Sequence, residues 1–215
     1  NTGDPNAVKD ADGSRADMGW DANQANLGSV ELELGLIAYY PFNGNTNDES
    51  GFGNHAQNYG ATLGTDRFGN SQKAYVFNGT TNYMEAPHAT HLNSFPITIS
   101  SWFKTNGVAN AGAGIIGKYR AAAWNGYQFS FDNQGIMYPW YIRSYGNDVI
   151  GDYAINGDNN PSFKSSRIDD SVWHQAVLTV DASGGKLFID GSLVSTKAWR
   201  GAPGVFTSNY PLSIG

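Results

Sequence analysis

The chain has no cysteine and only four glutamates in 215 residues, at Glu31, Glu33, Glu49 and Glu85. The first absence excludes disulfides, thiolate nucleophiles and cysteine-ligated zinc. The second leaves few carboxylates for paired acid–base work. Charge is also sparse: 13 basic against 19 acidic side chains give a formal net charge of −6. With no Lys/Arg cluster, the basic footprint that nucleic acid requires is missing, and so is a polybasic patch for anionic lipid. No stretch approaches 18 consecutive apolar residues, so membrane insertion is not expected. The opening Asn1-Thr2-Gly3-Asp4-Pro5 has neither a basic nor an apolar leader region, and it reads as the start of a mature or excised piece.

What is abundant points one way. There are 27 glycines and 22 asparagines, and aromatic residues make up 13%. Good helix formers are few, while turn formers and strand-favouring aromatics are many. Asn-Gly occurs at Asn43-Gly44, Asn78-Gly79, Asn106-Gly107, Asn125-Gly126 and Asn156-Gly157, with Asp190-Gly191 beside them. Each pair tolerates positive φ and is a hairpin-turn candidate.

Alternating runs lie between these turns. Over residues 126–132, Tyr127, Phe129 and Phe131 share one face and Gln128, Ser130 and Asp132 the other. Ile97, Ile99, Ser101 and Phe103 alternate with Thr98, Ser100, Trp102 and Lys104. Ala176, Leu178 and Val180 share a face, as do Leu187 and Ile189. Period two at short spacing predicts half-buried strands of an all-β sandwich. One weak helical window, 121–124, reads better as a loop. Residues 1–29 are small and polar, with hardly a large apolar side chain except Val8, Met18, Trp20 and Leu27, and cannot form a core alone. The expected organisation is a polar tail over 1–33 and a sandwich over 34–215.

Four segments carry a family resemblance. They are Gly35-Leu36-Ile37-Ala38-Tyr39-Tyr40-Pro41-Phe42-Asn43-Gly44-Asn45-Thr46-Asn47-Asp48-Glu49-Ser50-Gly51, then Tyr75-Val76-Phe77-Asn78-Gly79-Thr80-Thr81-Asn82-Tyr83-Met84, then Ile97-Thr98-Ile99-Ser100-Ser101-Trp102-Phe103-Lys104. The fourth is Trp173-His174-Gln175-Ala176-Val177-Leu178-Thr179-Val180, followed by Leu187-Phe188-Ile189-Asp190-Gly191. In this order they resemble LamG-like domains of the concanavalin A-like lectin/glucanase superfamily, over roughly residues 35–215. The resemblance implies a concanavalin A-like jelly-roll sandwich of two antiparallel sheets. It also implies a closing strand that the chain does not reach, leaving an unpaired edge beside residues 36–42. Upstream, Asp12-Gly13-Ser14-Arg15-Ala16-Asp17-Met18-Gly19 resembles the end of secreted parallel β-helix domains. A multidomain parent is expected on both sides.

Hydrolases of the superfamily place carboxylates on a Glu-x-Asp-x-x-Glu strand, and that motif is absent. Glu31 and Glu33 share a strand parity but sit at the tail boundary, where a solvated edge suffices. Lyases on this scaffold need a Tyr or His base with Arg and Gln, and only Arg143 between Tyr141 and Tyr145 hints at that. His55 follows a tight turn, His88 and His91 follow Pro87 in the 86–92 loop, as a metal pair or as a plain surface loop, and His174 follows Trp173 as a satisfied, mostly buried ring. Nucleophile elbows, phosphate loops and dinucleotide fingerprints are missing.

Many relatives in the resembled family hold a structural calcium. Asn43, Asn45, Asn47 and Asp48 cluster oxygen ligands, with Asp48 the anionic anchor and Asn45 a further ligand. An Asx-rich loop satisfying its own hydrogen bonds explains the same residues. A second acidic loop holds Asp148, Asp152 and Asp158 without calcium-loop spacing.

Glycan binding would use exposed rings. In Tyr138-Pro139-Trp140-Tyr141-Ile142-Arg143-Ser144-Tyr145, alternation separates Tyr138, Trp140 and Ile142 from Tyr141, Arg143 and Tyr145. The arginine marks the second set as the outward face. Trp124 and Trp199 fall in irregular segments with no evident core to fill. The expected ligand-binding residues are therefore Trp124, Trp199, Tyr141, Arg143 and Tyr145, while Trp102 and Trp173 are structural. Taken together, the residues and the resemblance point to a non-catalytic carbohydrate-binding module of a secreted or cell-surface multidomain protein of bacterial type, whose partner is a polysaccharide or glycan. An adhesion or spacer domain is the rival, and a lyase-like enzyme the third reading.

Overall fold

The computed structural model describes residues 35–107, 112–119, 124–144, 148–150 and 163–215. The expected tail over 1–33, its β-helix-like segment and Tyr145 lie outside the described residues.

Among the described residues, thirteen strands follow in order: β1 Gln57–Tyr59, β2 Thr62–Gly64, β3 Ala74–Val76, β4 Tyr83–Ala86, β5 Ile97–Phe103, β6 Ala113–Gly117 and β7 Gly126–Phe131. Then come β8 Met137–Ser144, β9 Asp148–Ile150, β10 His174–Asp181, β11 Gly184–Ile189, β12 Ser192–Lys197 and β13 Leu212–Ile214. One seven-stranded sheet runs β1-β4-β13-β6-β7-β8-β9, a four-stranded sheet runs β12-β11-β10-β5, and β2 pairs with β3. The pairings are antiparallel.

The period-two pattern decides which side each residue takes. Ile97, Ile99, Phe103, Ala176, Leu178, Val180, Leu187 and Ile189 are buried from the four-stranded sheet. Met84, Ala86, Tyr127, Phe129, Phe131, Leu212 and Ile214 meet them from the other, in one cluster. Burial of such side chains stabilises by roughly 1.5–3 kcal/mol each before entropy is counted. Asp190 and Gly191, both at positive φ, form the two-residue turn between β11 and β12, as the sequence predicts for that pair.

Residues 36–42 differ from expectation. They form no strand, so no sheet edge runs along them. Their backbone is held instead by the 45–56 loop. Tyr39 N–H donates to Asp48 Oδ1 at 2.9 Å, Asn54 Nδ2 donates to the Ile37 carbonyl at 2.8 Å, and Glu49 N–H donates to the Tyr39 carbonyl at 2.8 Å. Ile37, Ala38, Tyr40 and Phe42 then pack against the core.

Candidate functional site

Strand register sets one row of side chains across the outer face of the seven-stranded sheet. Gln57 stands opposite Glu85, Glu85 opposite Ser213, and Ser213 opposite Gly117. Gly117 stands opposite Gln128, and Gln128 opposite Trp140. Directly opposed residues point to the same side, and Met84, Ala86, Leu212 and Ile214 between them point into the core. The row therefore lies on the face turned away from the core, open from Gln57 to Ser213 and covered at Trp140. Tyr59 and Tyr83 form the neighbouring row, with rings stacked at 4.6 Å and exposures of 43% and 37%.

Small residues form the floor. An added Cβ on Gly117 would press into the Gln128 stem at 2.9 Å, and one on Gly114 would meet Gln128 Nε2 at 2.6 Å. The two glycines thus let Gln128 lie flat across β6. Beyond it, Tyr138, Trp140 and Ile142 form a second apolar cluster, with Tyr119 packed edge-on to Trp140 at 5.2 Å. Among the described residues, neither the Glu85 carboxylate nor the Gln128 amide has a protein hydrogen-bond partner, whereas neighbouring loop amides mostly do. Ser130, buried on this same face, has an Oγ without a hydrogen-bond partner among the described residues.

A groove of about 340 Å³ opens at the β1 end of this face, lined by His55, Gln57, Tyr59, Glu85, Pro87 and Pro211. Asp48 N–H donates to His55 Nδ1 at 3.1 Å, which leaves the proton of the neutral ring on Nε2 as a donor. A single carboxylate, one imidazole N–H, an amide and an exposed ring thus converge on one depression.

The expected platform is not assembled. Tyr141 and Arg143 do share a parity, but that parity faces inward. Tyr141 is 0% exposed and its hydroxyl donates to the Gly204 carbonyl at 3.1 Å. It packs edge-on to Phe206 and Trp199 at 5.3 and 5.7 Å. Burial pushes its phenol well above the usual range. Arg143 is half-buried at the strand end, close to Gly204. The opposite set, Tyr138, Trp140 and Ile142, is also buried. With β8 covered on both faces, alternation alone cannot tell inside from outside.

Trp199 is likewise no free ring. Its Nε1 donates to the Asp181 carbonyl at 2.7 Å, and its face meets Phe95 at 5.9 Å. Trp124 is half-buried, at φ 47° just before β7. Its neighbours 120–123 lie outside the described residues.

Asp48 is buried and fully engaged. Oδ1 accepts from Tyr39 N–H and Ser50 N–H, both at 2.9 Å. Oδ2 accepts from Asn54 N–H at 2.9 Å and Asn54 Nδ2 at 3.0 Å. A carboxylate offers about four lone-pair sites, and all of these meet N–H donors. Asn45 Oδ1 accepts from Asn47 N–H at 2.8 Å, and Asn43 Oδ1 from the Lys73 ammonium at 3.1 Å. A donor set already turned on N–H groups does not fit a calcium ion. The arrangement is the self-satisfied Asx loop, and no group of three or more His, Asp or Glu able to hold a metal occurs among the described residues.

The histidines find separate partners. Lys118, 0% exposed, donates Nζ to His88 Nδ1 at 2.8 Å and to the carbonyls of Ser208 and Tyr210 at 2.9 and 2.7 Å. Three acceptors match its three N–H groups, while burial pushes the ammonium down to about 8. Burial, then the Lys118 charge, lowers His88. His91 Nε2 lies 2.8 Å from Asn54 Oδ1. The two rings therefore form no metal pair. His174 sits between Asp190 at 2.7 Å and Asp170 at 3.1 Å, a satisfied ring as its sequence position suggests.

Tyr59, Tyr83, Gln57, Glu85 and Gln128 escaped the sequence reading as a site. The signal was present in two short alternations, Gln57-x-Tyr59 and Tyr83-x-Glu85, each with a polar residue and a ring on one face.

Two antiparallel sheets packed over a shared core define a β-sandwich of lectin type. The chain belongs to the concanavalin A-like lectin/glucanases superfamily, with residues 78–215 matching its Laminin_G_3 family model. Among solved structures it is similar to domain 4 of AbnA, an extracellular arabinanase from Geobacillus stearothermophilus in complex with arabinotriose. That match has a TM-score of 0.55 and 20% identity, covering 83% of this chain and 82% of that one. It is also similar to botulinum neurotoxin type C, with a TM-score of 0.57 and 12% identity, covering 86% of this chain and 44% of that one. A search of the curated proteins finds no match.

Proposed function

We propose that this domain is a non-catalytic carbohydrate-binding module that seats a glycan across the outer face of the seven-stranded sheet. The observation that carries the reading is the row Gln57–Glu85–Ser213–Gly117–Gln128 beside the stacked Tyr59 and Tyr83. Rings offer the apolar surface on which a sugar CH face stacks, the small floor gives room, and the carboxylate and amides read hydroxyls. The similar arabinanase domain, held with arabinotriose, supports the same class of ligand.

Catalysis finds no footing in this face. Glycoside hydrolysis needs two carboxyl groups about 5–10 Å apart across the scissile bond. Glu85 is the one carboxylate in the row. The module would hold a secreted or surface-bound multidomain parent at its polysaccharide. An adhesion role is the alternative reading, and one exposed feature favours it: the Arg67 guanidinium lies 4.2 Å from Phe68 and 4.4 Å from Trp102, on the other sheet.

A glycan array followed by titration calorimetry tests the reading. Binding to an oligosaccharide that Tyr59→Ala weakens, with no bond cleavage on prolonged incubation, is expected. Binding unchanged by Tyr59→Ala and lost on Trp102→Ala would move the site to the other sheet.

A further inference from the structure

We infer that the glycan seated on this face is uncharged, and that Glu85 reads its hydroxyls from the groove at the β1 edge. The inference rests on the module reading above and adds the chemical class of the ligand.

The first ground is the distribution of charge. On the uncovered part of the outer face, register places Gln57, Tyr59, Tyr83, Glu85, Gln128 and Ser213, while the β8 end is buried. None is basic and one is acidic. Four basic residues are engaged away from this face. Lys118 is buried on three acceptors, Arg67 lies between Phe68 and Trp102, Lys73 donates to Asn43, and Arg167 pairs with Asp169. Among the described residues of this face, a uronate, sialate or sulfate would meet a carboxylate and no compensating cation.

The second ground is the groove itself. Its volume of about 340 Å³ is at the small end of ligand sites and suits one or two sugar rings. Glu85 is half-buried, standing between Gln57 and Ser213 in the row. A carboxylate accepts but cannot donate, so its complement is a pair of hydroxyl donors such as a vicinal diol. Charge-assisted hydrogen bonds of this kind are about twice as strong as neutral ones. His55 Nε2–H supplies a donor for a ring or hydroxyl oxygen, and Tyr59 a surface for the CH face.

The third ground is that polar groups here are left for a ligand. The other buried or half-buried carboxylates of the fold are engaged: Asp48 by four N–H donors, Asp169 by Arg167. Glu85 takes part in no such network among the described residues. A half-buried carboxylate without a protein donor is costly unless water or a ligand supplies one.

The test titrates the chain with neutral oligosaccharides (arabinotriose, xylohexaose and cellohexaose) and acidic ones (trigalacturonate and 3′-sialyllactose), at low and high salt. At least one neutral ligand should bind, with affinity little changed by salt. The acidic ligands should bind about tenfold or more weakly than the neutral ligand, because a like charge brought beside the carboxylate is repelled. Glu85→Gln should weaken the neutral ligand about tenfold and narrow the gap to the acidic ones, with an unchanged melting temperature. Tighter binding of an acidic ligand, weakened by Tyr59→Ala, would overturn neutrality and leave the module standing. Full neutral affinity in Glu85→Gln would overturn the role of Glu85. Binding of none of the probes would overturn the module reading and this inference with it.

Discussion

Tyr59 on β1 and Tyr83 on β4 stand directly opposite each other, and their rings stack with planes 16° apart and centroids at 4.6 Å. The pair is exposed although both residues belong to a well-packed sheet. The reason is parity. Met84, between Tyr83 and Glu85, takes the inward position and is fully buried, so its two neighbours must project outward. β1 is the edge of the sheet as described, and the Tyr59 face turned from Tyr83 has no further strand of that sheet beside it.

That geometry sets the first prediction. Tyr59→Ala should weaken glycan binding by about 1–2 kcal/mol, a factor of roughly 5 to 30. The melting temperature should fall little, since the ring is exposed and its partner stays in place. Calorimetry and thermal denaturation on the same preparation check both. A large loss of stability would show the pair to be a structural staple instead.

The second prediction concerns Asp48. Its carboxylate holds the backbone of three segments through four N–H donors, and removing it leaves those donors buried and unmet. Asp48→Ala should cost about 2–4 kcal/mol of stability. Burial alone would raise this carboxyl, but the hydrogen bonds from Ser50, Tyr39 and Asn54 outweigh it and hold it below the usual range. A group with a depressed folded pKa contributes stability above its unfolded value, near 4, and loses it as pH falls through the folded value. Acid melting should therefore flatten in the variant. Millimolar calcium should leave the melting temperature of the unaltered chain unchanged; a rise abolished by Asp48→Ala would restore the cation site.

The third prediction is the opposite in sign. Burial works against charge on His174, yet hydrogen bonds to Asp190 and Asp170 raise its pKa above the ordinary value. The folded chain then holds this proton more tightly than the unfolded chain. The stabilisation is present below about pH 6.5 and is lost as pH rises through the raised value. The aspartates are well exposed, so the effect should be about 0.5–1 kcal/mol. Melting temperatures at pH 5.5 and pH 8 should differ more in the native chain than in His174→Gln. Equal differences would show that the ring does not gain its proton on folding.

The sandwich was legible because its strands alternate. Ile97, Ile99 and Phe103, or Ala176, Leu178 and Val180, each contrast with polar neighbours, so period two marks both the strand and its inner face. The site was much less legible. β8 is apolar on both faces, and the arginine that seemed to mark the outside, Arg143, reaches the rim from an inward position at the strand end. β1 and β4, of three and four residues, are too short for alternation to stand out. Their function lies in register, because Gln57, Glu85, Ser213 and Gln128 come together only when non-adjacent segments pair. The Asx-rich loop could be read either as a calcium site or as a self-satisfied turn. What separates the two is whether oxygen lone pairs meet N–H groups, and that depends on Tyr39 and Asn54, which lie outside the cluster.

Trp199 gives the last prediction, and it separates a packed ring from a binding platform. Its indole lies between Phe95 and Tyr141, and its N–H donates to the Asp181 carbonyl at the end of β10. Truncation would leave a void against the core and strand a carbonyl. Trp199→Ala should therefore cost about 3 kcal/mol, lowering the melting temperature by roughly 6–12 °C for a chain of this size. Trp199→Phe keeps the ring contact and loses only the hydrogen bond, at about 1 kcal/mol. Below its transition, the folded Trp199→Phe variant should bind glycan as the native chain does. A platform ring would behave the other way round, with affinity lost and melting temperature kept. Reading both quantities on both variants decides between the two, because packing and stacking cannot produce the same pair of results.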